Sequence, residues 1–155
     1  MASNRDDGDG NEHETFGPID PGTLYRIRKT FVRHEPLVES AEIDSPARPT
    51  ALSIALSAGF DAPRRFDVRW SRYECYGFHY EELADGPAFR FDRHPNPHFP
   101  EKQFHPPPTA SRDAAEPSCI AVTLPNLVTL AVVEAWRHAL DGADVSLVNR
   151  LDDPP

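Results

Sequence analysis

Between Leu52 and Arg93 the chain places apolar side chains on alternate positions, the period of a half-buried strand. Leu52, Ile54 and Leu56 alternate with small residues, and Phe66, Val68 and Trp70 alternate with Arg65, Asp67 and Arg69. Tyr76, Phe78 and Tyr80 then form one face of a further strand, with Gly77, His79 and Glu81 on the other. The turn signal Asp85-Gly86-Pro87 reverses the chain into a returning strand from Ala88 to Arg93. Upstream, Leu37–Ile43 reads as a short strand. The stretch Thr23–Arg33 is also read as a strand, with Tyr25, Ile27 and Phe31 on one face and basic residues between them.

After Arg93 the alternation stops. Pro95, Pro97 and Pro100 lack an N–H and fix φ, so residues 94–105 read as a polar loop launched from a strand, ahead of a stiff Pro106–Pro108 segment. Cys119–Thr123 reads as a short edge strand. From Pro125 the period changes to that of a helix. Val128, Val132, Ala135, Trp136 and Leu140 make a wide apolar stripe, with Thr123 as a cap, Pro125 in the first turn and Gly142 at the stop. The expected fold class is α+β: an antiparallel meander of about five strands packed by one C-terminal helix. One domain over residues 21–142 is expected, between a disordered acidic tail at 1–20 and a flexible tail at 143–155.

Charge modifies this picture at the ends. The 155 residues carry a formal net charge of −9. Residues 1–20 hold one Arg against six acids and residues 141–155 one Arg against four, so the expected domain is almost neutral. Lys29 and Lys102 are the only lysines among 16 basic residues. Low Lys with surplus carboxylate is the composition of a protein adapted to salt, in which short-range Arg and His contacts would carry any binding to nucleic acid. Cys75 and Cys119 form no CxxC pair, which excludes a zinc ribbon and speaks against a disulfide framework. The N-terminus lacks a signal-peptide pattern, and the longest apolar run, near Leu127–Val133, is too short for a membrane span. A cytoplasmic protein without membrane contact is expected.

The chemistry-bearing residues concentrate in Phe89–His105, which holds Arg90, Asp92, Arg93, His94, His98, Lys102 and His105. Three readings are open. The histidines with Asp92 can ligate a metal, although the prolines forbid the helix that His94-x3-His98 spacing would otherwise suggest. They can instead perform acid–base chemistry on a phosphodiester, a base and an acid beside cations that hold phosphate. The third reading is a solvated loop with an Arg90–Asp92 ion pair, serving as a non-catalytic interaction module. Tyr80 and His79, on the strand hairpinned to Phe89–Arg93, can reach the same place. The patch Arg64-Arg65, Arg69 and Arg72 reads as a solvated face.

The order Phe78-His79-Tyr80, Phe89-Arg90-Phe91-Asp92, Pro97-His98 and then His105 resembles the toxin family called TumE, over roughly residues 50–140. Here the family's histidine cluster is reduced to His105, and His94 stands where a neutral residue is usual. The resemblance implies a growth-inhibiting toxin neutralised by a cognate antitoxin, and the activity expected with it is metal-independent RNA cleavage needing no cofactor. In that reading His98 and His105 exchange protons and Arg90 and Lys102 hold phosphate, while Asp92 orients Arg90 or a histidine. Arg93, Lys102, Tyr80 and His94 contact the substrate RNA, with no residue assigned to a metal.

Overall fold

A computed structural model describes residues 16–94 and 101–151. Among them, two α-helices and one seven-stranded sheet make an α+β fold. The chain runs α1 (Pro21–His34), β1 (Val38–Ile43), β2 (Leu52–Leu56), β3 (Arg64–Trp70), β4 (Tyr76–Glu82), β5 (Ala88–Arg93), β6 (Lys102–His105), β7 (Glu116–Pro117) and α2 (Pro125–Asp141). A 3-10 turn, Val145–Leu147, follows. Strand order equals chain order and each pair is antiparallel, so the sheet is an uninterrupted meander.

The alternation read in the sequence is the alternation of the sheet. Leu52, Ile54 and Leu56 on β2, Phe66, Val68 and Trp70 on β3, Tyr76, Phe78 and Tyr80 on β4, and Phe89 and Phe91 on β5 all point to one buried face. Both helices cover that face. Phe31 of α1 meets Phe66 at 5.7 Å between ring centroids, and Trp136 of α2 meets Phe66 edge-on at 6.3 Å. Tyr80 stacks on Phe89 across the hairpin at 4.9 Å. Such aromatic pairs favour offset and edge-to-face contact, which ties the helices to one register of the sheet.

Residues 21–34 form a helix, not the strand that the alternation of Tyr25 and Ile27 suggested. The apolar positions that are buried are Leu24, Ile27 and Phe31, spaced by three and four, while Tyr25 is exposed. Asp20 caps the helix through the Thr23 N–H at 3.2 Å and the Thr23 hydroxyl at 2.9 Å, and Pro21 opens the first turn. Lys102–His105 is likewise a strand, β6, rather than the end of a loop. Three prolines fall before it and none within, so its N–H groups are available to pair with β5.

Smaller differences have similar causes. No strand forms over 119–123; the sheet's last rung is Glu116–Pro117, and the Ala121 and Val122 carbonyls accept from Lys102 Nζ instead. Thr123 does not cap α2, whose N-cap is Leu124 with no side-chain hydrogen bond, while Gly142 does close the helix. Beyond Gly142, where a tail was expected, Val148 is fully buried in the core and Asn149 accepts from the Cys119 N–H at 2.7 Å.

Candidate functional site

The second face of the sheet is not covered by either helix. Its register builds one polar row across six strands: Glu42, Ser53, Asp67, His79, Arg90 and His105, on β1 to β6 in turn. The next row along the strands is Arg69, Gly77, Asp92 and Gln103. Side chains on these rows stand on a pleated surface whose other side is the aromatic core, so their backbones are fixed by strand pairing rather than by a loop.

Asp92 ties the centre of this face together. Its Oδ2 lies 3.2 Å from Arg90 Nε and 2.9 Å from His105 Nε2. Neither contact has hydrogen-bond alignment, and Asp92 Oδ1 has no hydrogen-bond partner. The His105 side chain is only 4% exposed. Its Nδ1 faces the Ser111 carbonyl at 3.3 Å, where the chain after β6 folds over this end of the sheet. One ring nitrogen faces the Asp92 carboxylate and the other the Ser111 carbonyl. Arg90 and His79 are more open, with 36% and 30% of their side chains exposed.

His79 stands between Asp67 on β3 and Arg90 on β5, and its Nε2 is 3.6 Å from Glu81 Oε2. Burial pushes its pKa below the usual histidine value, and the Arg90 charge adds to this, against the opposing pull of Glu81 and Asp67. His79 is therefore a neutral base near pH 7, with an Nδ1 that has no hydrogen-bond partner. Asp67 and Glu81 are themselves engaged by Arg65, at 3.0 and 2.7 Å, and Asp67 also accepts from Ser53 at 2.7 Å.

The structure brings Arg90, Asp92 and His105 together and sends several other expected residues elsewhere. Tyr80 is on the covered face, fully buried, with its hydroxyl donating to Glu82 Oε2 at 2.6 Å. Arg93 and Lys102 share the parity of the core residues at the strand ends. Arg93 pairs with Glu101 at 2.8 Å and Glu74 at 3.6 Å, while Lys102 donates to the Ala121 and Val122 carbonyls at 2.8 and 2.9 Å. His94 extends the β5 ladder through its N–H to the Glu101 carbonyl at 3.0 Å. His98 lies outside the described residues. Two members of the open face, Gly77 and Arg69, had not been read as functional. Their signal was the alternation itself, which puts Gly77 on the His79 side of β4, away from Tyr76, Phe78 and Tyr80. Pairing of β3 with β4 then sets Arg69 opposite Gly77.

Among the described residues no group of three or more His, Cys, Asp or Glu side chains is arranged to hold a metal ion. No helix among them is long and apolar enough to cross a membrane.

An α+β meander with one aromatic face under two helices and one histidine–arginine–carboxylate face left open defines the class of molecule. The model of a family described as toxin TumE matches residues 28–137, more than two thirds of the chain, and the chain belongs to that family. Membership makes it a toxin of a toxin–antitoxin pair and implies an antitoxin as its partner. No curated protein and no solved structure matches the chain.

Proposed function

We propose that this toxin cleaves RNA without a metal ion, on the open face of the sheet. The observation that carries the reading is the row that sets His79, Arg90 and His105 side by side on three adjacent strands, with Asp92 bridging the last two. His79, neutral near pH 7 and with 30% of its side chain exposed, takes the proton of a ribose 2′-hydroxyl through Nε2, its Nδ1 being enclosed. The oxygen attacks the adjacent phosphorus, and Arg90 neutralises the charge that gathers on the non-bridging oxygens. The P–O5′ bond breaks and the leaving oxygen takes a proton from water, giving a 2′,3′-cyclic phosphate and a 5′-hydroxyl. His105, enclosed and with an acceptor facing each nitrogen, is a positioning residue: it holds Asp92, which holds Arg90. This moves the base to His79 from the pair His98 and His105, to which the family resemblance gave the exchange of protons. Arg90 alone keeps the phosphate role that it shared with Lys102.

Purified protein incubated with RNA in the presence of a chelator tests the reading. Cleavage that persists in chelator, leaves cyclic phosphate ends and fails on a 2′-deoxy substrate is expected. Absence of cleavage by well-folded wild-type protein, with tight capture of the antitoxin, would replace the enzyme with an interaction module.

A further inference from the structure

Gly77 is the second residue of β4, a central strand, and lies between Arg69 on β3 and Asp92 on β5. Glycine weakens a strand, so its presence there has to answer to conformation, to packing or to something outside the chain. Conformation does not require it, because Gly77 is not among the glycines with positive φ. Packing does not require it either: a Cβ built on Gly77 meets no heavy atom within 4 Å. Gly17, Gly59, Gly86 and Gly142 each differ in this respect, with a neighbouring side-chain atom under 3 Å from such a Cβ. The bare backbone at Gly77 thus opens a flat gap in the polar face.

The walls of the gap carry charge. Arg69 stands on one side with its guanidinium carbon 4.3 Å from the centre of the Phe16 ring, a contact that holds the group in place. Unlike Arg65, Arg90 and Arg93, it has no carboxylate within ion-pair distance among the described residues. On the other side stands Asp92, its side chain 17% exposed and its Oδ2 within ion-pair distance of Arg90 and His105. Strand spacing puts the Arg69 and Asp92 backbones roughly 10 Å apart across the gap, enough for one flat ring between them.

We infer that the gap over Gly77 seats one nucleotide of single-stranded RNA, its base flat against the bare backbone and its phosphate reached by Arg69. The inference rests on the RNA-cleaving reading and specifies how that face holds its substrate. Duplex RNA is excluded by the geometry, because a base must be unstacked to lie on a sheet. Arg69 supplies the positive charge that a phosphate needs, and its guanidinium plane offers a second surface for stacking.

The test is binding of a short, fluorescently labelled, 2′-fluoro-substituted RNA, which lacks the attacking hydroxyl, measured by anisotropy beside the thermal midpoint. Wild type is compared with Gly77→Val and Arg69→Gln, and cleavage of unmodified RNA is followed in parallel. Gly77→Val fills open space and is expected to fold with an equal or higher midpoint while losing roughly tenfold or more in affinity. Arg69→Gln is expected to weaken binding and to reduce the slope of log affinity against log salt by about 0.7. This second variant leaves β4 untouched and decides the matter should Gly77→Val fail to fold.

Unchanged affinity and salt slope in folded variants overturns the seat, even where RNA cleavage by wild type stands. Conversely, binding that is lost as expected with no cleavage by wild type removes the reaction and keeps the seat. Loss of antitoxin capture in Gly77→Val, with RNA affinity unchanged, would assign the gap to a protein partner and overturn the inference.

Discussion

On β4, Tyr76, Phe78 and Tyr80 bury their rings under the helices, while Gly77, His79 and Glu81, each one residue along, face the other way. The same alternation separates Phe89 and Phe91 from Arg90 and Asp92 on β5, and Phe104 from His105 on β6. The covered face is fixed by area and shape, since each ring is packed against several others. The open face is fixed by charge: Asp92 is shared by Arg90 and His105, and Asp67 and Glu81 share Arg65. A sheet that is rigid because of one face can hold an incompletely satisfied set of polar groups on the other. Four atoms of that set, on His79, Arg90, Asp92 and His105, have no hydrogen-bond partner. The energetic roles of the two faces are therefore separable by mutation.

The largest effect is expected from the centre of the covered face. Phe66 contacts Phe31, Tyr80, Phe89 and Trp136, joining both helices to the sheet. Phe66→Ala should cost about 3–5 kcal/mol, a large part of the roughly 5–15 kcal/mol that holds such domains folded. Denaturant titration would show it as a lower midpoint, and a loss under about 1 kcal/mol (on the order of a surface change) would break the comparison.

Glu82 comes next. Its carboxylate is enclosed, and it accepts from the Phe60, Asp61 and Ala62 N–H groups at 2.7–2.8 Å and from the Tyr80 hydroxyl. Burial raises its pKa, but these hydrogen bonds together outweigh burial and hold it below the usual carboxylate range. A depressed folded-state pKa means the stabilisation is full above the unfolded value of 4.5 and is lost as pH falls through the folded value. Glu82→Gln should cost about 2–3 kcal/mol at pH 7 and flatten the acid limb of the stability curve.

A smaller effect is expected at Asp20, the cap of α1. Asp20→Ala should lower stability by about 1 kcal/mol in the same titration, with no effect on the open face.

Much of this was legible in the sequence, and the exceptions have physical reasons. Strands β2 to β5 and helix α2 are encoded by local periodicity, which tertiary contact only reinforces. Helix α1 carries a helical period too, in Leu24, Ile27 and Phe31, but Tyr25 and Ile27 imitate a strand and mask it. The caps Asp20 and Pro21 were the better signal. Arg90, Asp92 and His105 were legible as chemistry, but their meeting depends on β6 pairing with β5 in one register, a long-range fact that local pattern does not carry. Tyr80, Arg93 and Lys102 were misplaced in space for the converse reason. Sequence proximity groups them with Arg90, whereas strand parity sends them to the other side of the sheet.

The smallest stability change, with a large functional one, is expected on the open face. His79 has a lowered pKa, so below about pH 6.5 the unfolded chain takes up its proton first and stability declines slightly as pH falls. Activity that needs the neutral ring should decline over a lower range, through the folded-state value, and level off by neutral pH. A pH–rate profile that shows no acid limb in wild type would contradict His79 as the base.

The most direct test of the division between the faces is growth after induced expression of wild type and His79→Gln at matched abundance, without antitoxin, with the thermal midpoint of each purified protein. Arrest by wild type alone is expected, with midpoints that agree within a few degrees. Full arrest by a folded His79→Gln protein would contradict it, and would place the work of this toxin away from the open face.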